Sequence, residues 1–349
     1  MKKRIAMLLV LLMIFLLSAC GKAETRTVGI LMPTDRQISW KTHAESLAAG
    51  FTDAGYTAQL LYADNDPAVQ AAQIEGMIDR GVDVLVVAAV DGAELARVCE
   101  KARQNGILVI ADDCLITGTE AVDFHVAFDP VSVGRLQGRY LAEALDLANQ
   151  PGPFTLEIFA GPQDDPEAAA FYNGAMQVLK TYIDEGKLVV SSGQVDFTAT
   201  ETASWDSVKA EARMKELLDS CYAESRLDAV LSAADCLSVG VVSALEAKGY
   251  GTDRPFPVIT GQDAELTAIR NIRAGKQAMT AVFDGSRMAQ VMVPLVTDLL
   301  AGREVTPAAT YHNGVFDVPA LTCEPRLITW ENLNDLIELG LYTETQLGG

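Results

Sequence analysis

Short apolar runs alternate along this chain with longer stretches whose apolar positions recur every three or four residues, and the alternation predicts strands and helices in turn. Thr27 to Met32 reads as a strand, Ser39 to Ala54 as an amphipathic helix with Leu47 and Phe51 four apart, and Ala58 to Tyr62 as a second strand. Gly55 marks the end of that helix. Asp66-Pro67 opens the next, which runs to about Arg80, at a position where the missing proline N–H costs little. Val84 to Ala89, a helix from Glu94 to Gln104 and Leu108 to Asp112 continue the series, and Phe124 to Phe128 follows. The alternation then resumes with helix Val131 to Ala148, strand Phe154 to Phe159, helix Pro166 to Glu185 and strand Leu188 to Asp196. Helix Ser207 to Ser220, strand Ala229 to Ser232, helix Ser238 to Lys248, strand Pro257 to Thr260 and helix Leu266 to Ala274 complete a second unit. Strand Ala278 to Phe283, helix Ser286 to Ala301, strand Val315 to Leu321 and helix Glu331 to Leu339 end the chain. The pattern is α/β with largely parallel sheets.

Within this series Gly106 to Leu115 runs four apolar residues, Ile107 to Ile110, into Asp112, Asp113 and Cys114, as a buried strand ending at a polar lip would. Leu227 to Leu237 repeats the cadence about 120 residues later and ends in Asp235 and Cys236. Ligands of open parallel sheets bind beyond the carboxyl ends of the strands, so two strands ending alike point to two sheets presenting edges to one site.

The first nineteen residues stand outside the fold: Lys2, Lys3 and Arg4 precede an apolar run from Ile5 to Leu17, then Ser18-Ala19-Cys20. This is a secretory signal. Small residues directly before Cys20 resemble a bacterial lipobox, which implies acylation of Cys20, an extracytoplasmic protein anchored to the membrane by that lipid, and a short tether over residues 20–26. The formal charge of the whole chain is −20, and removing three cations with the signal leaves about −23 on 330 residues. That length suggests two domains, and the acidity argues against nucleic acid as a partner. Five cysteines remain after Cys20 without CxxC or His-containing ligand spacing, so neither a disulfide framework nor a metal site is expected.

Several stretches together carry a family resemblance: VGILMPT at 28–34, YADND at 62–66, VDVLVVAAVDG at 82–92, GPFTLEIFAG at 152–161, DAVLSAADCLSVG at 228–240 and GQDAE at 261–265. They resemble the type I periplasmic sugar-binding proteins, the xylose-binding and multiple-sugar-binding receptors being the nearest branch. The resemblance implies two Rossmann-like lobes joined by three crossover segments and closing on a monosaccharide. It places the first lobe at 27–128 plus 284–315 and the second at 129–283 plus 316–349, with crossovers near Phe128, Phe283 and Phe316. It further implies an ABC permease in the membrane as partner, or a sensor receptor, and no cofactor.

Mapped residue by residue, the resemblance brings Trp40, Asp91 and Asp113 to the cleft from the first lobe. From the second come Asp165, Glu167, Trp205, Asp235, Gln262 and Asp263. Planar carboxylates and amides with aromatic rings suit a ligand of many hydroxyls and apolar C–H faces. Other readings stand beside these. Trp40 and Trp205 also read as anchors of the helices beside them, Asp91 as a turn or cap residue, and Asp165 and Glu167 as acids favoured at a helix start.

Departures from the family pattern lie at the same places. Ser39-Trp40 and Ser204-Trp205 stand for Arg-Trp, Asp113-Cys114-Leu115 for Asp-Arg-Leu, Pro166-Glu167-Ala168 for an amide- and ring-bearing run, and Asp284 for a lysine. Each removes a cation, an amide or a ring, so the pocket is expected to be roomier and more acidic. An amine-bearing ligand therefore competes with a neutral aldose. An enzyme is disfavoured, since no GxGxxG, GxSxG or P-loop is present and His43, His125 and His312 are scattered.

Overall fold

The computed structural model describes residues 25–347; the apolar leader and Cys20 lie outside the described residues. In chain order the first unit contains β1 (Thr27–Met32), α1 (Ile38–Asp53), β2 (Thr57–Tyr62), α2 (Pro67–Asp79), β3 (Val84–Val87), α3 (Ala96–Gln104), β4 (Leu108–Asp112) and β5 (Phe124–Phe128). The second contains α4 (Pro130–Ala144), β6 (Phe154–Phe159), α5 (Pro166–Asp184), β7 (Leu188–Val189), α6 (Ser207–Ser220), β8 (Ala229–Ser232), α7 (Asp235–Ala247), β9 (Val258–Ile259), α8 (Leu266–Arg273) and β10 (Met279–Val282). Then come α9 (Gly285–Leu300), β11 (Ala309–His312), β12 (Asp317–Cys323) and β13 (Arg326–Thr329).

The first sheet runs β11-β12-β5-β4-β3-β1-β2, parallel except for the β11–β12 pair. Strand periodicity shows why its central strand β3 is apolar at every position. Val84 and Val86 of β3 join the core under α1 and α9, while Leu85 and Val87 join the opposite core under α2 and α3. A parallel sheet covered on both faces buries every position. The second sheet runs β7-β6-β8-β9. β10 continues it, since Ala278 N donates to Ile259 O and Ala281 N to Gly261 O, and β13 pairs antiparallel with β10. Beneath it α4 and α5 cross in close contact. A Cβ at Gly134 would lie 1.8 Å from Phe171 O, so the crossing depends on glycine there.

Several expectations are corrected. Residues 316–323 belong to the first sheet, because β12 pairs with β5, and the third crossover falls between Cys323 and Arg326 instead of near Phe316. The signal that marks this was Asn313-Gly314: Asn313 Oδ1 accepts from Val315 N and Phe316 N, and Gly314 turns at φ 96°, closing a β11–β12 hairpin. The strand predicted to Asp196 ends at Val189, at the sheet edge, where Ser192 instead donates to Glu157. The helix predicted from Ser238 begins at Asp235. The terminal helix shrinks to Asp335–Glu338 after a tight turn at Trp330–Asn332. Phe128 and Phe283, at the first two crossovers, stack with centroids 4.6 Å apart.

Candidate functional site

Between the lobes, at the carboxyl edge of the first sheet, a cavity of about 370 Å³ opens. Trp40, His43 and Asp113 of the first lobe line it with Phe283, Arg326 and Leu341 of the second, and the Phe128–Phe283 stack and the first turn of α9 complete the wall.

On the first lobe, α1 places Trp40 edge-on to His43, with centroids 6.0 Å apart. His43 Nε2 lies 2.8 Å from Asp112 Oδ2, and both side chains are buried. Burial alone would lower the imidazole pKa, but the Asp112 carboxylate, its hydrogen bond and Asp113 outweigh it, and the net value is raised. Asp113 follows β4 with a left-handed φ of 59°, which aspartate adopts more readily than most residues. Its N–H donates to Val126 O at 2.8 Å and its carbonyl accepts from His125 Nε2 at 3.0 Å, which fixes the carboxyl at the cleft. Asp113 is exposed to the open cleft, yet desolvation by the surrounding walls raises its pKa to about 6, with Asp112 and Glu167 adding repulsion and His43 opposing it. Cys114 packs half-buried against the first-lobe core, and burial followed by Asp113, Asp112 and Glu167 pushes its thiol to about 12. Asp91 is exposed, and its Oδ1 accepts from Ala93 N and Glu94 N at 2.9 and 3.2 Å, so its described role is to cap a turn.

On the second lobe Asp165 caps α5: Oδ1 accepts from Glu167 N at 2.9 Å, and Oδ2 accepts from Trp205 Nε1 at 3.1 Å. The Trp205 ring lies over Gly161 and edge-on to Phe171, so this tryptophan is a wall whose position one hydrogen bond fixes. Partial desolvation, then Asp165 and Asp263, raise the Glu167 carboxyl. Desolvation also raises Asp263, against a hydrogen bond from Gln262.

Two of the predicted contacts already have partners within the protein, and one of them, Asp284, also lines the cavity. Asp235 is fully buried as the first residue of α7, and its oxygens accept from Gln277 Nε2 (2.8 Å), Thr280 Oγ1 (2.9 Å) and Glu265 N (2.9 Å), all in its own lobe. It fixes the 261–265 loop from below, and burial holds its pKa well above the carboxylate range despite these donors. Asp284, expected to add a bare acid, is buried at the start of α9 with Arg326 Nη2 2.5 Å from Oδ2. Arg326 of β13 thus sets a cation beside Asp284, where nothing in the pattern RLIT distinguishes it from an ordinary strand residue. Among the described residues no cluster of three or more metal-ligating side chains occurs, and no helix is long and apolar enough to cross a membrane.

The arrangement is rich in hydrogen-bond acceptors and flanked by Trp40 and the Phe128–Phe283 stack, which suits binding of a donor-rich, partly apolar small molecule. Residues 28–304 match the family described as periplasmic binding protein domain. The chain belongs to that family. This periplasmic binding protein is 44% identical to the multiple sugar-binding periplasmic protein SbpA of Azospirillum brasilense, over 92% of this chain and 90% of that one. It is 42% identical to the multiple sugar-binding periplasmic receptor ChvE of Rhizobium radiobacter, over 93% of each. A solved solute-binding protein of an ABC transporter from Clostridium phytofermentans, with bound β-D-glucose, is 40% identical, with a TM-score of 0.65 over 92% of this chain and all of that one. As a type I periplasmic sugar-binding protein it is extracytoplasmic, and these relatives are binding proteins and receptors, not enzymes.

Proposed function

We propose that this protein captures a monosaccharide between its lobes and delivers it to an ABC permease, held at the membrane by a lipid on Cys20. The cavity carries the reading: Trp40 and Asp113 of one lobe and Phe283 and Arg326 of the other line one space, so a ligand there touches both lobes and favours their closed arrangement. Trp40 and the phenylalanine stack offer apolar faces to a sugar ring and Asp113 accepts from its hydroxyls, while Glu167, Gln262 and Asp263 of the second lobe stand outside the lining of the open cavity and reach the ligand on closure. His43–Asp112 and Asp165–Trp205 hold those contacts in place, and no bond of the ligand is broken.

Titration calorimetry of the mature protein with glucose, galactose and xylose, paired with small-angle scattering, tests this. Expected are saturable binding and a ligand-dependent compaction; tight binding without compaction refutes the closure mechanism. Labelled fatty acid is expected to enter the wild type and not Cys20→Ala. The similarity to a relative named a receptor favours a second reading, in which the closed form engages a membrane sensor. Stimulation of the permease ATPase by the liganded protein is expected on the transport reading, and its absence with sensor activation would replace that reading.

A further inference from the structure

We propose that residues 338–342, near the C-terminus, form a working wall of the sugar site: Leu341 touches the ligand, and Tyr342 braces the 261–265 loop that closes on it. The inference rests on the sugar-capture reading and adds two residues to it. Glu338, Leu339 and Leu341 line the same cavity as Trp40 and Asp113, although they follow β13 at the far end of the chain. The second lobe carries them. Leu336 is buried with Ile269, Val282 and Ile328, and Leu339, Leu341 and Tyr342 pack half-buried against that cluster. The chain reverses at Gly340, whose φ is 70°, with Leu341 N and Tyr342 N both donating to Leu336 O at 3.0 and 3.2 Å. This turn brings the segment against the first lobe, where a Cβ at Gly340 would lie 3.2 Å from Thr42 Cγ2 of α1. Leu341 therefore has one side on the core of the second lobe and another on the cavity shared with the first. There it meets a ligand without offering it a hydrogen bond. A hydroxyl pressed against it would lose water unreplaced, so this wall favours a C–H face and helps to set which sugar fits.

Tyr342 acts at one remove. Its hydroxyl donates to Ala264 O at 2.7 Å. The loop it reaches is strained, since Asp263 and Ala264 hold φ of 94° and 53°, and Ala264 is buried. Residues with side chains persist in that region only where their surroundings over-determine them. Thr280 Oγ1 accepts from Ala264 N at 3.2 Å and Asp235 Oδ2 from Glu265 N at 2.9 Å, so the lobe's own core holds the loop from one side. Tyr342 adds the hold from the C-terminal segment, on the one carbonyl between them. The brace fixes the backbone that carries Gln262 and Asp263, and Tyr342 is a positioning residue for both.

Titration calorimetry of the mature protein with D-glucose, D-galactose and D-xylose should compare the wild type with Leu341→Ala, Tyr342→Phe and Leu347→Ala, each confirmed folded by circular dichroism. Leu347 packs in the same C-terminal core and does not line the cavity, so its variant reports lost packing without a lost wall. Burying one CH2 against a ligand corresponds to about fourfold in affinity, so Leu341→Ala is expected to weaken the best-bound sugar about fourfold or more. Tyr342→Phe, which removes one hydrogen bond, is expected to weaken it about threefold or more, and Leu347→Ala to lower Tm with affinity kept within about twofold. A smaller loss in Leu341→Ala overturns the wall, and a smaller loss in Tyr342→Phe overturns the brace. Leu347→Ala weakening binding as much as the other two assigns the effect to packing and overturns both, with sugar capture left standing. A wild type that binds none of the three sugars overturns sugar capture itself and this inference with it.

Discussion

The Asp284–Arg326 pair is the sharpest point at which to perturb this molecule. Asp284 Oδ1 accepts from Ser286 N and Oγ at 2.9 and 2.6 Å, and Oδ2 faces Arg326 Nη2 at 2.5 Å and Arg287 Nε at 3.8 Å. The pair joins the start of α9 to β13, and so the second crossover to the third. Arg326→Met keeps most of the packing volume and leaves a buried carboxylate without its main counter-charge. Removing one partner of a buried pair costs about 3–5 kcal/mol. The Ser286 donors and Arg287 remain, which places this site near the lower end, about 3 kcal/mol; the more exposed contact of Arg326 with Asp335 adds less than about 1 kcal/mol. At roughly 2 °C per kcal/mol for a chain of this size, Tm should fall by about 6 °C. The double variant Arg326→Met with Asp284→Asn should regain most of the loss. Urea unfolding of the wild type, Arg326→Met, Asp284→Asn and the double variant checks this. A single-variant loss under about 1 kcal/mol, or a double variant no better than the single, refutes the assignment of a buried, coupled pair.

The unliganded protein should become less stable as pH rises. Asp113 titrates near about 6 when folded and about 3.9 when unfolded, so its contribution is complete below the lower value and lost as pH passes the upper, and His43, also raised, acts in the same direction above about 6.5. Tm without ligand should fall between about pH 5 and 7.5, less steeply in Asp113→Asn; a flat or rising profile contradicts the raised pKa values of Asp113 and His43. Gly161→Ala would place a Cβ 2.2 Å from Trp205 Cη2, so it should displace the ring, break its bond to Asp165 and cost about 1–3 kcal/mol, read by urea unfolding and by a changed tryptophan emission. Asp235→Asn should cost less than about 1 kcal/mol, because Gln277, whose Oε1 is unpartnered, can rotate its amide to accept from the new NH2, whereas Asp235→Leu strands three donors and should cost about 2–3 kcal/mol or more.

The alternation of apolar runs and amphipathic segments determined the α/β class, most elements and the edges at which acidic residues gather, because strand and helix periods are local properties of the chain. Asp113 was legible for that reason, as the first polar lip after a buried strand. Burial and pairing are not local. Asp235 carries the same strand-end motif as Asp113, yet starting α7 three residues earlier than its sequence suggests turns it under the sheet, onto Gln277 and Thr280. Asp284 reads as a lone acid until β13, about 40 residues away in sequence, brings Arg326 against it. The β11–β12 hairpin likewise moves the third crossover to 323–326, since strand pairing across the chain, not the residues of β12 alone, decides which sheet that strand joins. The sequence by itself brought Trp40 and Asp113 to the cavity but not His43 or Arg326. Only the tertiary structure decided which charges are paired, as at His43–Asp112 and Arg326–Asp284, because that depends on partners brought together by packing.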